Sequence, residues 1–233
     1  MTNPFRKPPV NPPAKPPLKP LPSSLLNPGA ESAPKPIKVV LTGGPCGGKT
    51  TLALTVEQEL GHQVLAIPEA ASLIFNGGFP RRVTEDSRRY QQRAIYYVQR
   101  ELEGLAGQEH PERLLICDRG SLDGLAYWPE HGKSFLAEVD STENIELNRY
   151  NWIIHLDTAG EDHYQTTSSL RIESHAQAMR LNQKVADAWA RHPQRFVINN
   201  TRHFVEKLDL AMNIIRRIIA GESYQKIKSQ IGA

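Results

Sequence analysis

Ile37-Lys-Val-Val-Leu41-Thr42-Gly43-Gly44-Pro45-Cys46-Gly47-Gly48-Lys49-Thr50-Thr51 is the stretch on which the fold turns. The apolar run Ile37–Leu41 predicts a strand, and Gly48–Leu60 predicts a helix closed by Gly61. Between them, Gly43–Thr50 satisfies the spacing G-x-x-x-x-G-K-[ST]. Glycines allow the backbone to curl so that successive N–H groups meet at one anion, and the following helix adds its positive end. A lysine at position 49 reaches the β- and γ-phosphates as a point charge, and a hydroxyl at position 50 becomes a ligand to magnesium. Gly43, Gly44, Pro45, Cys46, Gly47, Gly48, Lys49, Thr50 and Thr51 are therefore expected to hold ATP or GTP with Mg2+. Cys46 reads as a small loop residue, because one unpaired thiol is thin support for a redox switch.

Downstream, apolar runs alternate with helical patterns. Strands are expected at Gln63–Ile67, Leu114–Cys117, Trp152–Leu156 and Phe196–Ile198. Helices are expected from Glu85 to about Glu103, over Arg171–Ala190 and over Phe204–Ala220. The last carries an apolar stripe at Phe204, Leu208, Met212, Ile215 and Ile219. Strands separated by helices argue for an α/β fold with a parallel sheet covered on both faces.

Ligands of open α/β sheets collect at the carboxyl ends of strands, so the residues there are the next candidates. Glu69 follows the second strand and is placed to take the proton of an attacking hydroxyl. Asp118 follows the apolar run Leu114–Cys117, the position of a carboxylate that organises magnesium. Arg119 offers a planar fork to phosphate oxygens. His155 and Asp157 end the fourth strand, but no metal-ligand spacing surrounds them. Arg81-Arg82 and Arg88-Arg89 form a basic run that reads as a solvated face, with an acceptor phosphate as the alternative.

Twelve of the 18 prolines fall within residues 1–36. That segment is expected to be a disordered, polyproline-like basic tail, leaving residues 37–233 as the catalytic-type domain. Arg6-Lys-Pro-Pro9-Val-Asn-Pro12 has the charge and spacing of a ligand for a proline-binding module, although a solvated leader is the commoner reading. The formal net charge is +3, and the tail holds an excess of four positive charges, so the remainder stands at −1. A nucleic-acid partner is not expected on that balance, nor a membrane partner without a long apolar stretch. Cys46 and Cys117 make no CxxC pair and fit a reducing, cytoplasmic setting.

Beyond the phosphate loop, Asp118-Arg119-Gly-Ser-Leu-Asp123-Gly-Leu-Ala126-Tyr127 resembles the D-R-Y-x-x-S-x-x-A-Y motif of thymidylate kinases. Ile67-Pro68-Glu69-Ala70 resembles the strand end that carries the base in deoxynucleoside kinases. Residues 37–220 as a whole resemble the NadR-like AAA-domain family of P-loop proteins, including its Arg171-Ile172-Glu173 helix. The resemblance implies a five-stranded parallel sheet in the order 2-3-1-4-5 and a lid over residues 158–170. It also implies roles for Glu69 as base and Asp118-Arg119 as the third-strand pair. Gln91 or Gln92 would match the acceptor-binding Gln of deoxynucleoside kinases, with an exposed helix face as the commoner explanation.

The lid stretch lacks Arg and Lys, so Arg171 is the expected cation for the transferring phosphoryl group. Arg180, about 180° away on a helix through Arg171, is expected to be solvated or otherwise engaged. Together these residues point to a small-molecule kinase with a nucleoside-like acceptor, using Lys49, Glu69, Asp118, Arg119 and Arg171. The rival reading is an ATP- or GTP-dependent switch with weak hydrolysis and a protein partner.

Overall fold

In the computed structural model, β1 (Lys38–Thr42) is the central strand of a five-stranded sheet. The structure describes residues 35–161, 174–200 and 203–231. The proline-rich tail up to residue 34, the greater part of the expected lid, Arg171 and Thr201-Arg202 lie outside the described residues.

β2 (Val64–Ile67), β3 (Leu114–Asp118), β4 (Trp152–Leu156) and β5 (Arg195–Ile198) complete the sheet in the order β2-β3-β1-β4-β5. All neighbours are parallel. Val40 pairs with Cys117 on one side and Ile153 on the other, which brings the ends of β1, β3 and β4 together. Side chains alternate between two buried faces, as the pleat requires. Val39, Leu41, Ile154 and Leu156 pack with α1 (Lys49–Leu60), α8 (Phe204–Ile219) and α9 (Tyr224–Ile231). Val40, Leu115, Cys117 and Ile153 pack on the other face with residues of α3 (Glu85–Glu109), α4 (Gly124–Tyr127) and α7 (His175–Ala188). Three short helices fill the connections: α2 (Ala70–Asn76), α5 (Phe135–Glu138) and α6 (Glu143–Leu147). Among the described residues no helix is long and apolar enough to cross a membrane.

Several boundaries differ from expectation for physical reasons. Gly48 adopts φ 92° and stands just before α1, so the helix starts at Lys49. Gly61 does end it, donating its N–H to Glu57. α3 runs past Glu103 to Glu109. It is anchored there because the buried Glu103 carboxylate accepts from Lys38 Nζ at 2.9 Å, Arg149 Nη2 at 3.1 Å and Tyr150 OH at 2.8 Å. α7 begins at His175, with a capping box between Ser174 and Gln177. The α8 stripe needs correction at its first turn. Met212 and Ile215 are buried, but Phe204 is half exposed and lies over the end of the phosphate loop, where it would meet a Cβ on Gly48.

Candidate active site

The loop between β1 and α1 has the curl its glycines predict. Gly43 has φ 122°, and a Cβ there would sit 2.0 Å from the carbonyl oxygen of Leu156. A Cβ on Gly47 would lie 2.6 Å from the same oxygen. The loop therefore packs against the end of β4 so closely that only glycine fits at these two points. Lys49 folds back over it, donating to Gly44 O at 2.7 Å. Burial, and secondarily the charge of Arg119, lowers its ammonium to about 8. Lys49 is thus a buried cation bonded to the main chain of the loop that precedes it.

Thr50, in the first turn of α1, donates its hydroxyl to Asp118 Oδ2 at 2.6 Å. The two oxygens expected to organise magnesium are thus adjacent. Burial pushes the Asp118 carboxyl up, against the pull of Lys49. Among the described residues no group of three or more His, Cys, Asp or Glu side chains could hold a metal. Magnesium in phosphate sites is held by one or two protein oxygens together with phosphates and water, so the Thr50–Asp118 pair fits Mg2+ bound with a nucleotide. Cys117 points away into the core, where burial raises its thiol well above the usual range.

At the end of β3 the chain bends sharply. Arg119 has φ 85°, in the left-handed region that a residue with a Cβ rarely enters. Its N–H still bonds to Leu41 O at 3.0 Å, while its side chain turns back over the strand ends. There Nε donates to Glu69 Oε1, and Nη1 lies 3.2 Å from Asp123 Oδ2. Asp123 in turn accepts from Thr42 Oγ1 and Trp189 Nε1, each at 2.7 Å. Backbone strain of this kind clusters at functional sites, held in place by surrounding contacts. Glu69 precedes the first turn of α2 and also accepts from the Ser72 hydroxyl. Burial acts to raise the Glu69 carboxyl, but Arg119 and Ser72 outweigh it, and it is held down at about 2. Glu69 is therefore ionised at neutral pH.

These groups open onto one cleft of about 1080 Å3, lined by the phosphate loop, Glu69, Arg119, the start of α3 and one face of α7. Two expectations change here. Gln91 and Gln92 are not on an exposed face, since both are buried. Gln91 is structural: its Nε2 donates to Pro80 O, Arg82 O and Ser87 Oγ at 3.0–3.1 Å. Both line the cleft, and Gln92 is the one not committed to this clamp. Arg180 is not turned away from the site but lines the same cleft, beside Gln177, Leu181 and Lys184. Of the basic run, Arg89 is already committed, lying over Trp128 and donating to His131 O.

Sequence reasoning missed Asn182. From α7, its Oδ1 accepts the N–H of Gly44 at 2.8 Å and that of Thr158 at 3.3 Å, and its Nδ2 donates to Asp157 Oδ1 at 2.8 Å. The buried His155 completes this cluster, with Nε2 3.2 Å from both Asn182 Oδ1 and Asp157 Oδ1. His155 and Asp157 are thus structural partners of the loop. No local signal marks Asn182, which is 138 residues from Gly44.

A central parallel sheet in this order, with a phosphate loop after β1 and an acid–arginine pair after β3, defines a P-loop protein of the nucleotide-kinase type. The family model described as an AAA domain matches residues 38–207, and the chain belongs to that family. Comparison of the sequence with curated proteins gives no match. Among solved structures, the deoxyadenosine kinase of M. mycoides with bound dATP is similar at 15% identity and TM-score 0.55, covering 77% of this chain and 99% of that one. Thymidylate kinase from Ehrlichia chaffeensis is similar at 13% identity and TM-score 0.55, covering 80% and 100%. That from Candida albicans has 13% identity and TM-score 0.51, covering 80% and 92%. At these identities the likeness is one of fold.

Proposed function

We propose that this protein is a small-molecule kinase that transfers the γ-phosphoryl group of ATP or GTP to the hydroxyl of a nucleoside-like acceptor. The observation that carries this reading is the Glu69–Arg119 pair, set on the same cleft as Lys49 and Thr50. A cleft that extends well past the phosphate loop offers room for an acceptor, which a nucleotide switch does not need.

In this reading the acceptor oxygen attacks the γ-phosphorus, the bond to the β-bridging oxygen breaks, and the hydroxyl proton passes to Glu69 as ADP or GDP leaves. A carboxylate held near 2 is a weak base, so Glu69 chiefly orients the hydroxyl and accepts its proton late. That suits a loose transition state, in which the nucleophile needs little activation. Arg119 and Lys49 face the charge on the phosphoryl group, with Arg180 adding a cation from α7 and Gln92 an amide for the acceptor. Arg171, just after the expected lid, keeps its proposed part as a cation for the transferring phosphoryl group. Magnesium, held by Thr50 and Asp118 when bound, supplies charge neutralisation at the phosphates.

The test is transfer from labelled ATP or GTP to a panel of nucleosides by wild type and Glu69→Gln. Loss of the carboxylate that orients the hydroxyl is expected to cost about 100-fold in rate, the scale of a misplaced reactant. Equal transfer by the two proteins sinks the role of Glu69. Nucleotide hydrolysis that no acceptor stimulates favours the switch.

A further inference from the structure

We infer that the acceptor carries a phosphate group remote from its reacting hydroxyl, held by Arg82 and Arg88. This inference rests on the kinase reading and adds the chemical class of the acceptor.

The argument begins with charge. Residues 37–233 are slightly acidic, yet the cleft is not. Its carboxylates are Glu69, Glu85, Asp123 and Glu130. Glu69 and Asp123 are engaged by Arg119, Glu130 lies 3.4 Å from Lys184, and Glu85 faces the His131 ring at 3.4 Å. Arg82 and Arg88 line the same cleft, and among the described residues no carboxylate pairs with either guanidinium. Both are exposed, so an anionic ligand entering the cleft meets them without first breaking a protein ion pair.

Placement is the second, independent observation. The loop that carries Arg82 is built, since the buried Gln91 amide clamps its main chain at Pro80 and Arg82 and also holds Ser87. Thr84 caps α3 through the Ser87 N–H, which places Arg88 in the opening turns of that helix. The loop also follows α2, which starts directly after Glu69 and is about 10 Å long at 1.5 Å per residue. Neither arginine is a partner of Glu69, which is held by Arg119 and Ser72, so the phosphate assigned to them is a part of the ligand other than the hydroxyl at Glu69. Two guanidinium forks match the charge of roughly −2 on a phosphomonoester, where a carboxylate supplies only one charge.

The experiment is titration calorimetry on the full chain with matched pairs: adenosine and adenosine 3′-monophosphate, uridine and uridine 3′-monophosphate, ribose and ribose 5-phosphate, with succinate as the carboxylate arm. At least one phosphorylated member is expected to bind about tenfold or more tightly than its partner. That preference is expected to fall toward unity in Arg82→Gln/Arg88→Gln, with Arg82→Lys/Arg88→Lys intermediate because charge remains without the fork. Absence of any phosphate preference, its survival in the glutamine variant, or arginine-dependent binding of succinate in place of phosphates overturns the inference. Mg·ATP titrated separately keeps the two readings apart. Heat from Mg·ATP without phosphate preference overturns this inference alone. Arginine-dependent phosphate preference without a nucleotide response supports it and removes the kinase reading.

Discussion

Asn182 on α7 accepts the main-chain N–H of Gly44 in the phosphate loop at 2.8 Å. The contact joins α7 to the loop that would hold the triphosphate, and the same side chain holds Asp157 just after β4. Replacing Asn182 by leucine leaves the Gly44 N–H buried without its partner. An orphaned buried donor costs about 1–3 kcal/mol. Asn182→Leu is therefore expected to lower the thermal midpoint and to weaken Mg·ATP binding about tenfold or more. Asn182→Asp, which keeps the acceptor oxygen but adds charge beside Asp157, is expected to recover part of the affinity at low pH, where one carboxylate is neutral. Equal affinities for wild type and Asn182→Leu would show that the loop holds its shape without α7.

Lys49 leads to a pH dependence. Its ammonium is lowered from 10.5 to about 8 in the folded chain, first by burial. Below about pH 8 the lysine is charged in both folded and unfolded chains, and the fold bears the full desolvation cost. As pH rises between about 8 and 10.5, the unfolded chain holds more protons than the folded one, so this group's contribution to stability increases. Phosphate binding runs the other way, because it needs the charged ammonium. Mg·ATP binding is expected to take up protons as pH approaches and passes 8, and its affinity to fall above that pH. Calorimetry in buffers of different ionisation enthalpy reads the uptake directly. Lys49→Met is expected to abolish binding while raising the midpoint of the nucleotide-free protein at pH 7. A lower midpoint for Lys49→Met would contradict the proposed burial cost.

How far such features could be read from sequence depends on whether they follow from local pattern. The strands were legible because each contains a short apolar run, broken only by His155 in β4, and the phosphate loop because its spacing is itself the mechanism. α2, α4, α5 and α6 were not, because four to seven residues carry too little periodicity and are stabilised by packing. α3 misled in a different way. Its buried face includes Gln92, Tyr96, Gln99 and Glu103 at helical spacing, so polar residues occupy the stripe where apolar ones are sought. Gln91 and Gln92 consequently resembled a solvated surface. The Glu69–Arg119 pair required the β2 and β3 ends to meet, which strand order supplies and residue spacing does not.

Asp123 joins three elements at one carboxylate: β1 through Thr42, the C-terminal cap of α7 through Trp189, and the bend after β3 through Arg119. Its removal leaves a buried indole N–H, a buried hydroxyl and a buried guanidinium short of partners. Breaking a buried ion pair from one side typically costs about 3–5 kcal/mol. Asp123→Ala is expected to lose stability on that scale in denaturant unfolding, while Asp123→Asn, which keeps the acceptor oxygen for Thr42 and Trp189, loses less. If both variants unfold at the wild-type midpoint, Arg119 is held in place by Glu69 alone.

Arg180 tests the electrostatics of transfer. It lines the cleft from α7, on the same wall as Lys184, and no carboxylate among the described residues pairs with it. A cation with neither a counter-ion nor a core to pack into contributes little to stability, so its removal separates function from folding. Arg180→Ala is expected to keep the wild-type thermal midpoint within about 2 °C, since surface changes of this kind shift stability by less than about 0.5 kcal/mol. Its transfer rate is expected to fall about tenfold or more, with kcat reduced more than KM is raised, because the charge it meets develops in the transition state. Arg180→Lys should restore part of that loss, keeping the charge without the planar fork. A pure KM effect would place Arg180 on the bound acceptor instead, and an unchanged kcat/KM would remove it from the site altogether.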